Sequence, residues 1–340
     1  MTVAAETRAL SFVDAVGEAM RQAMEADPAV IVMGEDVAGG AGRGEGKENA
    51  MGGSFGATKS LYPLFGPNRV RDTPISEAGF VGAGVGAAAA GLRPVVDVMW
   101  ADFTGLAFDQ IYNQASKMSY MFGGQARLPL TLRVAMGSGL SAAAQHSGTL
   151  YSIYMHIPGL KVVVPSSPFD AKGLLLEAIF DDGPVLFFEH LKLYVAKGQV
   201  PEDAYRIPLG VAHVRRPGSD VTIVAVGAMV DRGLEAAELL AGSGTSAEVI
   251  DPRTLSPLDE ETILASVEKT GALVVVDESP PRCSFASEVA AVVGERGFDF
   301  LNGPVRRVTA PPTPVPFSPP LEAAYAPSVQ SIVDAVASLQ

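Results

Sequence analysis

Leu160-Lys-Val-Val-Val164, Ser167-Pro-Phe-Asp170 and Pro184-Val-Leu-Phe-Phe188 follow one another within a short stretch, and their order decides the fold class. The two outer runs are nearly all apolar, as parallel strands buried on both faces are. Between them Ser167 is suited to an N-cap, Pro168 to the first helical turn, and Asp170 to the positive end of the helix dipole. Leu174, Leu175, Ala178 and Ile179 then continue at helical spacing. Strand, helix and strand in that order predict an α/β domain built on a parallel sheet.

The pattern extends in both directions. Upstream, Ser11-Phe-Val-Asp14 reads as a capping box, with Val13, Val16, Met20 and Met24 forming an apolar helix face. Val30 to Met33 reads as a strand ending in Gly34-Glu35-Asp36, and further strands are expected at Pro94–Met99 and Leu128–Val134. Residues 38–57 are rich in Gly and polar residues and predict a long surface loop. Downstream the alternation pauses and then restarts at Val221–Val226, Ala247–Ile250, Leu273–Val276 and Val305–Val308. The expected division is a first domain over 1–190, a linker over 191–206 and a smaller α/β domain over 207–340. A chain of 340 residues is long enough for two such cores.

Bulk properties exclude several classes. The net charge of -13 opposes binding to nucleic acid or an anionic membrane. Cys283 stands alone, so neither an internal disulfide nor a cysteine zinc cluster is available. No apolar run reaches the roughly 20 residues of a membrane helix, and the first residues lack the pattern of a signal peptide. A soluble, cytoplasmic enzyme is expected.

Generic motifs fail on context. Gly82-Ala-Gly84-Val-Gly86-Ala87 fits the dinucleotide spacing, but no clear strand leads into it. A helix whose small face at Gly82, Gly86, Ala89 and Ala90 permits close packing is expected instead. Around Gly46-Lys47 a phosphate loop is excluded, because Glu48 replaces the required Ser or Thr. His146, His156, His190 and His213 show no metal spacing, and no Gly-x-Ser-x-Gly elbow occurs.

Longer strings carry more. Met33-Gly-Glu-Asp-Val37, Asp72-Thr-Pro-Ile-Ser-Glu77, Gly91-Leu-Arg-Pro94 and Ala143-Ala-Gln-His-Ser147 occur in that order. His156-Ile-Pro-Gly-Leu-Lys-Val-Val163, Asp170-Ala-Lys-Gly-Leu174 and Pro257-Leu-Asp259 follow. Together, over essentially the whole chain, they resemble the β subunit of the thiamine-diphosphate-dependent decarboxylating component of 2-oxoacid dehydrogenase complexes. The resemblance implies a transketolase-like fold, with a pyrimidine-binding domain and a C-terminal domain that stabilises the assembly. It also implies an α subunit in a two-α, two-β heterotetramer, and a lipoyl acyltransferase core as the next partner. In the family the diphosphate and its Mg²⁺ sit on the α subunit under a Gly-Asp-Gly motif, which this chain lacks.

Residue roles follow from the same resemblance. Glu77 matches the carboxyl that hydrogen-bonds the pyrimidine ring, so that the cofactor's amino group, in its imino form, can deprotonate the thiazolium carbon. Apolar neighbours Ile75 and Phe80 suit a shared proton there, since burial disfavours the charged carboxylate. Read without the resemblance, Glu77 is a helix-start acid. Phe103 matches the aromatic that stacks on the pyrimidine, and Met99 and Ile75 its hydrophobic wall; all three also suit an ordinary core. His146 matches a histidine facing the reacting carbon and the lipoyl group, where it could give a proton as the dithiolane opens. Glu35 matches an acid of a proton relay between two active sites, and equally suits a turn cap. Some relatives bind K⁺ through backbone oxygens matching Leu130, Ala178, Ile179, Asp181 and Gly183, with Gly183 standing where a relative has Asn.

The insert Gly39-Gly-Ala-Gly-Arg-Gly with Gly52-Gly-Ser-Phe-Gly-Ala-Thr, and Phe108-Asp-Gln-Ile-Tyr-Asn113, look like those of acetoin dehydrogenase β subunits. Acetoin is therefore the expected substrate, with pyruvate and branched-chain 2-oxoacids as alternatives. A non-catalytic protein retaining the fold, and a single-chain synthase, are the rivals from other classes. The acidic C-terminal domain is expected to dock a basic subunit-binding module of the acyltransferase core.

Overall fold

The computed structural model describes residues 7–40 and 52–339. The excluded phosphate loop at Gly46-Lys47 and the middle of the glycine-rich insert lie outside the described residues. The first half supplies β1 (Thr7–Ser11), β2 (Val30–Gly34), β3 (Val70–Asp72), β4 (Arg93–Trp100), β5 (Thr131–Met136), β6 (Lys161–Val163), β7 (Val185–His190) and β8 (Lys197–Pro201). The second half supplies β9 (His213–Arg216), β10 (Val221–Ala225), β11 (Ala247–Asp251), β12 (Thr254–Ser256), β13 (Leu273–Asp277) and β14 (Arg306–Thr309).

Seven strands form the first sheet in the order β12-β6-β7-β5-β4-β2-β3, and five form the second in the order β14-β13-β10-β11-β9. Pairings along the first sheet from β6 to β3 are all parallel. β2, β5 and β7 are buried along their whole length, with helices on the faces, which accounts for their continuous apolar reading. Helix Phe12–Ala26 starts on Ser11, whose hydroxyl accepts the Asp14 amide, and helix Pro168–Phe180 starts on Ser167 in the same way. Both caps stand where the sequence places them.

The halves are less separate than composition implies. β12, from the second half, pairs antiparallel with β6 and completes the first sheet. Within the expected linker, β8 pairs antiparallel with β1. The ladder hydrogen bonds hold both segments although their own sequences are polar and proline-bearing.

Of the small face expected to pack on helix Glu77–Ala89, Gly82 makes a close approach, since a Cβ there would lie 3.0 Å from Gln110 Oε1. A Cβ at Gly84 would lie 2.7 Å from Val96 Cγ2 and 3.3 Å from Leu130 Cδ1, so Gly84 permits the close approach. Gly86, Ala89 and Ala90 are exposed. A short strand, β3, does precede this helix, but the glycines lie inside the helix rather than at its N-terminus. They therefore present no amides to a phosphate.

Candidate active site

In an open parallel sheet, ligands bind beyond the carboxyl ends of the strands. Four neighbouring strands deliver the expected residues to that edge. Glu35 directly follows β2; Ile75 and Glu77 follow β3; Met99 lies in the last turn of β4 and Phe103 just past it; His146 lies on the segment after β5.

Glu77 opens its helix and is 7% exposed, whereas Ile75 is 74% exposed. Ile75 is therefore an apolar surface left open within this chain, while Phe80, in the first turn of the same helix as Glu77, is buried in the core. Glu35 is half-buried, and burial together with the charges of Asp36, Glu77 and Asp97 pushes its carboxyl above the usual range. Glu35 and Glu77 thus share one electrostatic neighbourhood.

The β4 end is shaped by a charge ladder that the sequence reading missed. Arg133 on β5 lies opposite Asp97 on β4 and donates to its Oδ2 at 3.0 Å. The same guanidinium grips Glu189 on β7 bidentately, at 2.7 and 2.8 Å, and Tyr194 donates its hydroxyl to Glu189 at 2.6 Å. Asp97 Oδ1 accepts the amide of Met99, whose φ of 69° is left-handed. Such a conformation persists in a non-glycine residue when the surroundings fix it. A signal for this ladder was present, since Asp97 and Arg133 each interrupt a run of β-branched and aliphatic residues.

His146 sits edge-on to two aromatic rings, 4.9 Å from Trp100 and 5.5 Å from Phe103 between centroids. The structure therefore brings His146 and Phe103 together, with Trp100 as a third member. Leu130, Ala178, Ile179, Asp181 and Gly183 gather elsewhere, at the amino ends of β5 and β7. There Arg93 Nη1 donates to the carbonyls of Ile179 and Asp181 at 3.3 and 3.0 Å. The Leu130 carbonyl accepts the Val185 amide at 2.8 Å. A potassium ion on these oxygens would share them with a resident guanidinium.

These groups fit the aminopyrimidine half of thiamine diphosphate: a buried carboxyl, a second acid, aromatic and thioether surfaces, and a histidine. No group of three or more metal-ligating side chains occurs among the described residues.

The transketolase pyrimidine binding domain model matches residues 8–196, and the transketolase C-terminal domain model residues 210–332. The chain is 54% identical over 333 residues to acetoin:2,6-dichlorophenolindophenol oxidoreductase subunit beta of Bacillus subtilis, covering 98% of this chain and 97% of that one. It is 43% identical to the pyruvate dehydrogenase E1 component subunit beta of Rickettsia felis, covering 95% and 96%. Among solved structures, a split gene transketolase described as an inactive beta4 tetramer superposes with a TM-score of 0.78 at 24% identity, covering 97% and 98%. The chain belongs to the β-subunit family of thiamine-dependent dehydrogenase components, with the transketolase-like fold. No helix among the described residues is long and apolar enough to cross a membrane.

Proposed function

We propose that this chain is the β half of an acetoin-cleaving, thiamine-diphosphate-dependent enzyme that passes an acetyl unit to a lipoyl group. The observation that carries the substrate is the 54% identity to an acetoin oxidoreductase β subunit, against 43% to a pyruvate dehydrogenase β subunit. Pyruvate and branched-chain 2-oxoacids are the alternatives.

Bound thiamine diphosphate supplies an acidic carbon that adds to a carbonyl and holds the electron pair released when the adjacent C–C bond breaks. The chain's own residues prepare the site. Glu77 hydrogen-bonds the pyrimidine ring and shares a proton with it. Met99, Phe103 and Ile75 hold the ring and exclude water. Glu35, whose carboxyl burial and the neighbouring acids hold above its ordinary range, relays a proton to or from Glu77. His146 gives a proton to the sulfur freed as the lipoyl disulfide opens. In the net reaction the C–C bond of acetoin breaks, acetaldehyde leaves, and the lipoyl disulfide takes up two electrons with the acetyl group.

Diphosphate and Mg²⁺ belong to an α subunit in this reading, within a two-α, two-β assembly that serves a lipoyl acyltransferase core. Large apolar side chains stand exposed on the segments following three site strands: Ile75 after β3, Leu106 after β4 and Leu140 after β5. Such exposure at a site edge marks a surface to be covered. K⁺ at the Leu130–Gly183 carbonyls remains part of the proposal, and we place the enzyme in the cytoplasm, where Cys283 stays reduced. Co-purification with the α subunit, followed by acetyl transfer to a lipoyl domain from acetoin and from pyruvate, tests the assignment. Transfer from acetoin is expected; transfer from pyruvate alone, or from neither, would overturn it.

A further inference from the structure

The segment that carries His146 is held by the second half of the chain. β5 ends at Met136, and the following stretch turns repeatedly through left-handed conformations, at Gly137, Gly139, Ser141 and Ala143. At Ser141 and Ala143, which are not glycine, that geometry is strained and persists only where the surroundings fix it. Two buried carboxylates grip the stretch from Ser138 to Ser141. Glu322, 4% exposed and more than 170 residues further along the chain, accepts the amides of Gly139 and Ser141 at 2.6 and 2.8 Å and the Ser141 hydroxyl at 3.2 Å. Glu278, 3% exposed, accepts the Ser138 amide at 2.7 Å and is paired with His190 at 2.7 Å.

The Gly139 and Ser141 amides converge on one carboxylate, much as backbone amides converge on a bound anion, and here the anion is a side chain of the same protein. The segment is also closely packed. A Cβ at Gly137 would collide with the His190 ring, and one at Gly139 with the Lys192 side chain. Beyond His146, Asp102 accepts the Gly148 amide at 3.0 Å, and Ser279 donates to the Thr149 carbonyl at 3.3 Å. Hydrogen bonds to a buried charged group are stronger than those between neutral groups, which suits them to holding left-handed backbone.

We propose that Glu322 and Glu278 are positioning residues, through which the C-terminal half sets the His146 ring against Trp100 and Phe103. This rests on the reading of His146 as the proton donor to the lipoyl sulfur. It gives the C-terminal half a part in the chemistry beyond assembly.

Trp100 is the only tryptophan of the chain and touches the His146 ring, so it reports the ring's position directly. The β chain labelled with 5-fluorotryptophan and assembled with its α subunit gives one ¹⁹F resonance from this chain. Glu322→Gln, which turns one acceptor into a donor facing an amide, is expected to move that resonance toward its position in His146→Ala. It is also expected to slow acetyl transfer to a lipoyl domain at least about tenfold, within the range a proton donor contributes. Because both changes act through one ring, adding Glu322→Gln to His146→Ala should cost nothing further. Glu322→Asp, which keeps the charge, should restore most of the shift and the rate. Glu278→Gln, which disturbs the Ser138 amide from the other carboxylate, is expected to move the resonance the same way and replaces Glu322→Gln should that variant fail to assemble. An unmoved resonance in assembled Glu322→Gln or Glu278→Gln enzyme, or a rate loss that multiplies fully in the His146→Ala background, would overturn the proposal. A normal rate in His146→Ala would instead refute the role of His146, and the resonance would still decide whether Glu322 places the ring.

Discussion

The amide of Met99 donates a 2.9 Å hydrogen bond to the carboxylate of Asp97, two residues earlier, and this bond holds the left-handed kink near the end of β4. The kink lies where the β4–β5 register shifts, between Asp97 and Trp100, and it sets the direction of Met99, Trp100 and the following turn that carries Phe103. Asp97→Ala should therefore weaken cofactor binding in the assembled enzyme about tenfold, the scale of one lost hydrogen bond to a charged group. Titration of thiamine diphosphate against activity measures it. Unchanged affinity would show that the turn is held without Asp97.

Arg133 joins Asp97 to Glu189, and each partner of a buried pair depends on the other. Arg133→Met leaves Glu189 buried without its counter-charge, which costs about 3–5 kcal/mol. Urea unfolding followed by circular dichroism should show that loss. A change below about 1 kcal/mol would mean that Glu189 is neutralised by another route.

Glu35 carries a carboxyl held above its ordinary value by burial and by Asp36, Glu77 and Asp97. The unfolded chain releases this proton first as the pH rises, so the folded state loses stability through the carboxylate range and above it. Glu35→Gln removes that loss. Its stability should exceed that of the parent at neutral pH and converge with it in acid, as thermal unfolding across pH would record. A variant less stable at neutral pH than in acid, relative to the parent, would contradict the sign.

Gly84 and Gly86 occupy one helix but face different surroundings. Gly84→Ala must push Val96 and Leu130 apart and should cost about 1–3 kcal/mol. No atom lies within 4 Å of a Cβ at Gly86, so Gly86→Ala should be neutral or stabilising by up to about 1 kcal/mol. Equal effects on the unfolding midpoint would contradict the packing.

Much of this was legible in the sequence, for stated reasons. Near-continuous apolar runs, interrupted by polar residues such as Asp97 and Arg133, marked β2, β4, β5, β6 and β7, because strands inside a covered parallel sheet are largely buried, and Ser11 and Ser167 announced their helices through cap chemistry. The residues at the site edge were found through the family strings, not through spacing; Glu77 alone reads as any helix-start acid. β1, β8 and β12 escaped because their pairing partners are distant in sequence and their own residues alternate poorly. The Arg133 ladder and the Glu278 and Glu322 contacts escaped for the same reason. A buried carboxylate on a short helix near residue 322 has no local mark of the loop it holds.

The central claim is that Glu77 supplies the carboxyl that activates the cofactor. Glu77→Gln, purified with the α subunit and assayed for acetyl transfer from acetoin, tests it most directly. The variant should fold and assemble as the parent does and lose about a hundredfold or more in turnover, the range a positioned acid or base contributes. An assembled variant turning over at a near-normal rate would contradict the claim.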